Sequence, residues 1–543
     1  MEIKERRRFL FLALLDVFVS IADIVSLAVL LGIIQFFIQP INSTRFSFLP
    51  AWLVSRDSFL GIALFFVFFC LKNWLAIAVA RWQFDFTGKV AVRISGLRLS
   101  RFQDGSFAEF IQVDSSVHIR AIAFQPFEVS QYLLAGMQQI MTQSFLITLT
   151  LTAIIIYKTK IFLLLLLVLA PPVAAVLFFI KKRLELARSG IRASNEKSFQ
   201  HLLDALKGYV ESNVYNKNNF FKKRFLDSRA QFSKHLFASL GIQAMPGRAV
   251  ELFAVFGLFL LILQAQRQGS DSDTLLTIGA FMAAAYKVIP GVIKLINVSG
   301  QMKTYRLSIQ ETIDAKTVEK LSSPASPAIQ LHSIEFRDVA YSYGHIPVLN
   351  ARNFSIECKD FVGISGRSGM GKTTILNLLL GFLEPVEGSI RVNGVPLNPD
   401  GLRNCWPSIA YVRQQAFLIN DTIERNITLQ EDEPDEERMQ TALEISGLAG
   451  ILHQLPGGRA HVLTENGKNI SGGQQQRITL ARAIYKPATL YLLDEPFNEL
   501  DEASEIILLK HFSELAEKGK IVVMITHDRR SLSYCNKIIS LDE

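Results

Sequence analysis

Apolar residues gather in six runs, near 12–38, 58–80, 131–157, 160–181, 248–266 and 274–297. Each is long enough to cross a hydrocarbon layer of about 30 Å as a helix. The pattern predicts six membrane helices. Between them the connections alternate in length, and the two long ones, 81–130 and 182–247, keep helical periodicity, as in "RWQFDFTGKVAVRISGLRLSRF" and "SFQHLLDALKGYVESNVYNKNNFFKKRF". The helices are therefore expected to continue beyond the membrane. The first run follows Lys4, Arg6, Arg7 and Arg8 in the manner of a secretion leader, but it is too long and has no small-residue cleavage site, so it reads as a retained helix.

Hydropathy falls after residue 300, and the Ser/Pro stretch "LSSPASPA" (321–328) marks a boundary. From 329 to 543 the pattern becomes short strands alternating with helices. "FVGISG", "LYLLDE" and "IVVMIT" are buried-strand candidates, each followed by a turn or helix, which predicts a parallel α/β sheet. The expected organisation is an α-helical membrane domain over 1–320, a linker over 321–328 and an α/β domain over 329–543.

Composition sharpens this picture. The 543 residues are only 20% charged, include 40 Phe and have a mean hydropathy of +0.27, which excludes a disordered chain or a simple soluble enzyme. A net charge of +8 could indicate nucleic acid, but the position of the charges argues otherwise. Segments 1–8, 81–130 and 182–247 hold most Lys and Arg of the membrane part, whereas the other connections hold Arg45, Arg56, Lys158, Lys160 and Arg267. The positive-inside rule then puts the N-terminus, the long connections and the α/β domain in the cytoplasm, with the lipid bilayer rather than nucleic acid as partner. The four cysteines, at 70, 358, 405 and 535, have no spacing suited to a disulfide framework or a zinc site.

Chemistry is concentrated in the α/β domain. "GRSGMGKTT" (366–374) lies between an apolar strand and a helix and fits G-x-x-x-x-G-K-[ST]. Such a loop, here Gly366, Ser368, Gly369 and Gly371 with Thr374 behind it, lets backbone N–H groups wrap phosphate oxygens at a helix N-terminus. Lys372 would reach the β and γ phosphates of ATP, and Thr373 would ligate Mg²⁺. "LYLLDEP" places Asp494 and Glu495 at a strand end, with Asp494 on the metal side and Glu495 as candidate general base. His527, closing "IVVMIT", is the candidate γ-phosphate sensor. Seen alone, each of these would be an ordinary solvated strand end; beside a phosphate loop they form a hydrolytic set.

"ISGGQQQR" (470–477), placed between that loop and Asp494, resembles the LSGGQ signature of ATP-binding cassette (ABC) proteins. The resemblance covers 329–543. It implies that Ser471, Gly472, Gly473 and Gln474 hold the nucleotide of a facing cassette, and hence that the partner is a second copy of the chain or a related one. It further implies that Tyr343 stacks on adenine, that Gln414 meets both Mg²⁺ and the membrane domain, that Glu465 touches the membrane domain's inner loops, and that "NELD" (498–501) is the D-loop. Departures are Ile470 for the usual leucine, Asn498 and Glu499 for the usual Ser-Ala, and a chain that ends 16 residues after His527. Six spans before one cassette resemble a half-transporter of the exporter type, which implies an ATP-hydrolysing translocase in a bacterial inner membrane.

Cargo is less legible. Ionisable groups at membrane depth are costly, so Lys72, Arg248, Lys287 and Lys294 need partners: either Asp16, Asp23 and Glu251, or an anionic headgroup in an inward cavity. "MPGRAVELFAVFGL" (245–258), "AAYKVIPGVIKLI" (284–296) and "CLKNWLA" (70–76) are similar to stretches of PglK-like lipid-linked oligosaccharide flippases, which implies an amphiphile bearing a pyrophosphate. Multidrug, lipid or peptide export remains open on sequence, as does an ATP-gated channel or regulatory subunit. The complete hydrolytic set favours a transporter.

Overall fold

In a computed structural model of the chain, the structure describes residues 2–38, 60–105, 113–157, 193–268, 288–303 and 329–542, with positions 107, 111, 171, 174, 178, 190, 191 and 305 between them. The chain divides into two compact units, Met1–Gly105 with Gln112–Lys320, and Ser106–Ile111 with Leu321–Glu543.

The first unit is helical. Its long elements are α1 (Ile3–Ile38), α2 (Leu60–Asp104), α3 (Ala135–Tyr157) and α4 (Asn218–Gln268). They cover the first, second, third and fifth apolar runs. Most of the fourth run lies outside the described residues, and the sixth is described only from 288 onward. Among the described residues two helices, over Ile3–Ser26 and Ile62–Asp104, are long and apolar enough to cross a membrane, so the described residues establish two such helices and not six. α4, with 51 residues, is roughly 76 Å long at about 1.5 Å per residue, more than twice a hydrocarbon core of about 30 Å.

α1 and α2 run antiparallel, because partners ascend one helix as they descend the other. Glu5 meets Arg93 at 2.7 Å, Phe9 packs on Phe86 with ring centroids 6.5 Å apart, and Asp23 meets Lys72 at 2.5 Å. Phe9, Leu12, Phe86, Val90 and Leu134 form the apolar core between them. Leu14 and Phe18 on α1 and Phe66, Leu71 and Trp74 on α2 are exposed, as suits a surface solvated by lipid. From Ser115 to the start of α3 the chain is helical but includes two π-helical stretches, Arg120–Phe124 and Val129–Leu134, around Pro126. Proline lacks the N–H that an α-helical turn needs, and the local repeat widens to accommodate this. Arg120, only 7% exposed there, is held by Glu196 at 2.6 Å.

The second unit contains two sheets. An antiparallel sheet of order β2-β1-β4-β5 is built from β1 (Ser333–Tyr343), β2 (Ile346–Glu357), β4 (Glu387–Val392) and β5 (Val395–Pro396). A parallel sheet of order β6-β7-β8-β3-β9 is built from β3 (Phe361–Ser365), β6 (Ile409–Val412), β7 (Leu490–Asp494), β8 (Ile521–Ile525) and β9 (Lys537–Ser540). The helices that position the site are α5 (Lys372–Leu379), α6 (Gly472–Tyr485) and α7 (Glu502–Glu517). The three expected buried strands are β3, β7 and β8, and β7 and β8 are buried at every position. Alternation explains why they are apolar throughout. Leu492 and Val523 face one core, while Leu493, Val522 and Met524 face the other.

Register then aligns the chemistry. Ile364 pairs with Ile525 and Asp494 also pairs with Ile525, so β3, β7 and β8 end on the same edge of the sheet. The phosphate loop follows the first, Glu495 the second and His527 the third, which is the usual ligand edge of an open parallel sheet. The short piece Ser106–Ile111 belongs to this unit, with the Phe107 ring stacked on Phe382 at 4.6 Å and Phe382 edge-on to Trp406.

Candidate active site

The loop after β3 needs glycine where its backbone turns. Gly371 caps α5 with φ +89, and a Cβ there would lie 2.8 Å from Val348 Cγ1 and 2.9 Å from Leu349 Cδ2. No other residue satisfies both the left-handed backbone and the close approach of β2. The hairpin end carrying half-exposed Tyr343 is the end of β1 and β2 nearest Val348, because Tyr343 pairs with Ile346. Tyr343 is braced edge-on by Tyr341, with ring centroids 5.0 Å apart.

Lys372 is buried and folds back over the loop, donating from Nζ to Gly366 O at 2.6 Å and Arg367 O at 3.1 Å. The same Nζ lies 3.0 Å from His527 Nε2. Thr373 is exposed on the first turn of α5, while Thr374 is buried beneath it. Ser368 and Gly369 are exposed on the loop.

Asp494 and Glu495 differ in environment although adjacent in sequence. Asp494, the last residue of β7, is 6% exposed. Burial and the neighbouring Glu495 charge push its carboxyl up to about 6, against the opposing pull of Lys372 and Arg413. Glu495 leaves the sheet with φ +48, a conformation that costs a residue with a Cβ roughly 1–3 kcal/mol. Its N–H still donates to Ile525 O at 3.0 Å. The turn aims its carboxylate at three partners. Oε2 accepts from Gln414 Nε2 at 2.7 Å and from Asn498 Nδ2 at 2.9 Å, while Oε1 lies 3.3 Å from His527 Nε2. Lys372, His527, Glu495 and Gln414, taken from four separate segments, thus form one continuous polar chain.

The signature residues are elsewhere in the same unit. Ser471 caps α6 in a capping box, with its Oγ accepting from Gln474 N at 3.3 Å and its own N–H donating to Gln474 Oε1 at 3.0 Å. Gly472 and Gly473 form the first turn behind the cap. Glu499 explains the second glycine, since a Cβ at Gly473 would lie 2.7 Å from the Glu499 carbonyl oxygen. Gln476 Nε2 donates to Pro496 O at 2.6 Å, tying the helix to the Glu495 turn. The signature's capping groups bond to one another and not to the phosphate loop of their own chain. Glu465 lies exposed on a short turn, paired with Lys468 at 3.0 Å.

Sequence reasoning missed two contributors. Asn498 was legible only as a departure from the usual D-loop, and its role as a donor to Glu495 required the turn geometry. Arg413, beside Gln414, bears on Asp494 from the end of the neighbouring strand β6, a relationship that no linear spacing reveals.

Among the described residues, the cations expected at membrane depth do not share one environment. Lys72 is 8% exposed and bound to Asp23, and Arg248 pairs with Glu251 at 3.2 Å while remaining largely exposed. These two have carboxylate partners from the protein, one of the two alternatives that the sequence leaves open. Lys294 lines a cavity of about 420 Å³ with Glu251, Gln139, Asn297 and Gln301. Lys287 lies outside the described residues.

Residues 349–498 match the family described as ABC transporter. An ATP-dependent lipid A-core flippase of Burkholderia orbicola (strain AU 1054) is 30% identical over 461 residues, 82% of this chain and 76% of the relative. A probable ABC transporter ATP-binding/permease protein of Haemophilus influenzae is 28% identical over 351 residues, 63% of this chain and 62% of the relative. In fold the chain is similar to a bacterial Atm1-family ABC exporter with ATP bound, with a TM-score of 0.79 at 20% identity, covering 99% of this chain and 93% of that one. With the phosphate loop, the strand-end carboxylates and the signature in one α/β unit, the chain belongs to the ABC transporter family, as an integral membrane exporter that binds ATP and hydrolyses it to drive transport.

Proposed function

We propose that two copies of this chain form an exporter that moves a lipid-type amphiphile across a bacterial inner membrane, with the N-terminus and the ATP-binding part in the cytoplasm. Residues 1–320 form the membrane domain with six spans, 321–328 the linker and 329–543 the cassette. The observation that carries this reading is the placement of Glu495. It stands beside the phosphate loop, between Gln414 and His527, where a base must be to serve a water attacking a γ-phosphate.

In this reading Gly366, Ser368, Gly369, Gly371, Lys372 and Thr374 cradle the phosphates, Tyr343 stacks on adenine, His527 positions the γ-phosphate and Glu495 takes the water's proton. Mg²⁺ fits the donors at hand, because the Thr373 hydroxyl, the Asp494 carboxylate and the Gln414 amide are all hard oxygen ligands. When bound, it neutralises charge on the β and γ oxygens. Ser471, Gly472, Gly473 and Gln474 serve the nucleotide of the second copy, which is why they cap their own helix and leave their own phosphate loop alone.

For cargo, the flippase name of the Burkholderia relative and the apolar faces of α1 and α2 support a lipid. Lys287 and Lys294 are the cations assigned to an anionic headgroup, with Lys72 and Arg248 in supporting positions. The test is reconstitution of the full chain in vesicles carrying a fluorescent phospholipid, a lipid-linked sugar or a labelled peptide. ATP-dependent movement of a lipid probe, abolished by Glu495→Gln, is expected. Movement of the peptide alone, or ATP turnover that no lipid stimulates, overturns the cargo assignment.

A further inference from the structure

Glu495 carries two amide donors on a single oxygen. Gln414 reaches Oε2 from a segment 81 residues away in sequence, whereas Asn498 reaches it from three residues further along the same turn. Both amides are neutral, and that matters here. Asp494, adjacent and buried, is already raised by the Glu495 charge, so a second carboxylate at the turn would be repelled and a cation would compete with Lys372 for the phosphates. With Oε2 occupied twice, the remaining oxygen, Oε1, is the one directed towards His527 at 3.3 Å.

We propose that Asn498 is a positioning residue for ATP hydrolysis, which fixes the Glu495 carboxylate so that Oε1 alone is presented to the attacking water. This rests on Glu495 being the base. Two properties of the turn make the amide specific. Glu495 sits at φ +48, so its side chain cannot relax through the backbone without leaving that strained well, and its rotamer must be held by partners. A serine at 498 would end one atom short of the amide nitrogen and miss Oε2. The anchor also travels with the base: if Gln414 swings towards a bound nucleotide, Asn498 remains attached to the same loop as Glu495. Downstream, Leu500 N–H donates to Phe497 O at 3.0 Å and Asp501 caps α7 through Ser504 N at 3.1 Å, so the loop carrying Asn498 is pinned beyond it as well.

The test compares Asn498→Asp, which keeps shape but loses the donor and adds a like charge, with Asn498→Ala and Asn498→Ser in the purified full-length protein. Turnover number should fall about 10-fold or more in Asn498→Asp and by a smaller factor in the other two, with the KM for ATP and the binding of a fluorescent ATP analogue unchanged. A merely structural role would lower ATP binding and thermal stability in parallel. In a Glu495→Gln background the Asn498 substitutions should cause no further loss, because a residue acting only through Glu495 has nothing left to position. Wild-type turnover by Asn498→Asp alongside an inactive Glu495→Gln overturns this proposal and leaves the base assignment standing. Wild-type turnover by Glu495→Gln overturns the base assignment itself.

Discussion

Lys72 and Asp23, 49 residues apart on α2 and α1, meet at 2.5 Å, with the lysine side chain almost fully covered and its ammonium 4.3 Å from the centre of the Phe69 ring. The pair answers how a charge persists within an apolar helix: its counter-ion comes from the neighbouring helix. Asp16, two turns before Asp23, is satisfied in the same way by the Thr142 hydroxyl at 2.6 Å, which links α1 to α3. Polar groups on one face of α1 thus hold the first three helices together at depth.

Breaking the Lys72 pair should destabilise the membrane unit. Lys72→Met alone removes the cation that faces Asp23 and is expected to cost about 2–3 kcal/mol, since loss of one member of a buried pair costs more than loss of both. The double variant Lys72→Met, Asp23→Asn should recover most of that in thermal unfolding of the detergent-solubilised protein. If the double variant regains stability and transport, Lys72 serves structure; stability without transport would return it to the cargo path.

Replacement of the base by its amide should separate binding from chemistry. Glu495→Gln is expected to slow ATP hydrolysis by about 10²–10⁴-fold while ATP binding persists, and binding should then favour a closed pair of cassettes. Turnover is read by phosphate release and closure by cross-linking of the two copies. Unchanged phosphate release excludes Glu495 as base.

The raised carboxyl of Asp494 gives a pH signature. A buried acid whose pKa stands near 6, well above the usual aspartate value of about 3.9, binds its proton more tightly when folded than when unfolded. Stability therefore falls as pH rises from about 4 to about 6 and stays reduced above that, by about 3 kcal/mol on the scale of 1.36 kcal/mol per unit. Asp494→Asn should raise the melting temperature of the nucleotide-free protein at pH 8 and leave it unchanged near pH 4. An equal shift at both pH values would show that charge is not the cause. ATP hydrolysis in the same variant should be lost.

Gly371→Ala tests the phosphate loop. The added Cβ would press on Val348 and Leu349 at a left-handed φ, a combination expected to cost about 1–3 kcal/mol and to displace Lys372. Weaker ATP binding and a lower melting temperature should appear together in nucleotide titration and calorimetry. Gly369→Ala, where φ is +86 but a Cβ would meet nothing within 4 Å, should be milder, and the difference between the two isolates the steric part.

Much of this protein was determined by short stretches of sequence, because the relevant physics is local. A run of apolar residues is a membrane helix by transfer energy alone, and a glycine-rich turn between strand and helix binds phosphate through its own backbone. The three buried strands, the phosphate loop, the Asp494–Glu495 pair and the Ser471 cap were legible on those grounds. Tertiary structure decided whatever depended on which distant elements touch. The shared edge of β3, β7 and β8 follows from parallel register. The grip of Gln414 and Asn498 on one Glu495 oxygen follows from a positive φ that no spacing encodes. Position along the apolar runs likewise singled out Lys72, Arg248, Lys287 and Lys294 as cations in need of partners, without deciding those partners. Lys72 and Arg248 found carboxylates through helix packing and helix periodicity respectively, whereas Lys294 came to line a cavity, because a side chain's electrostatic environment is set by its neighbours in space.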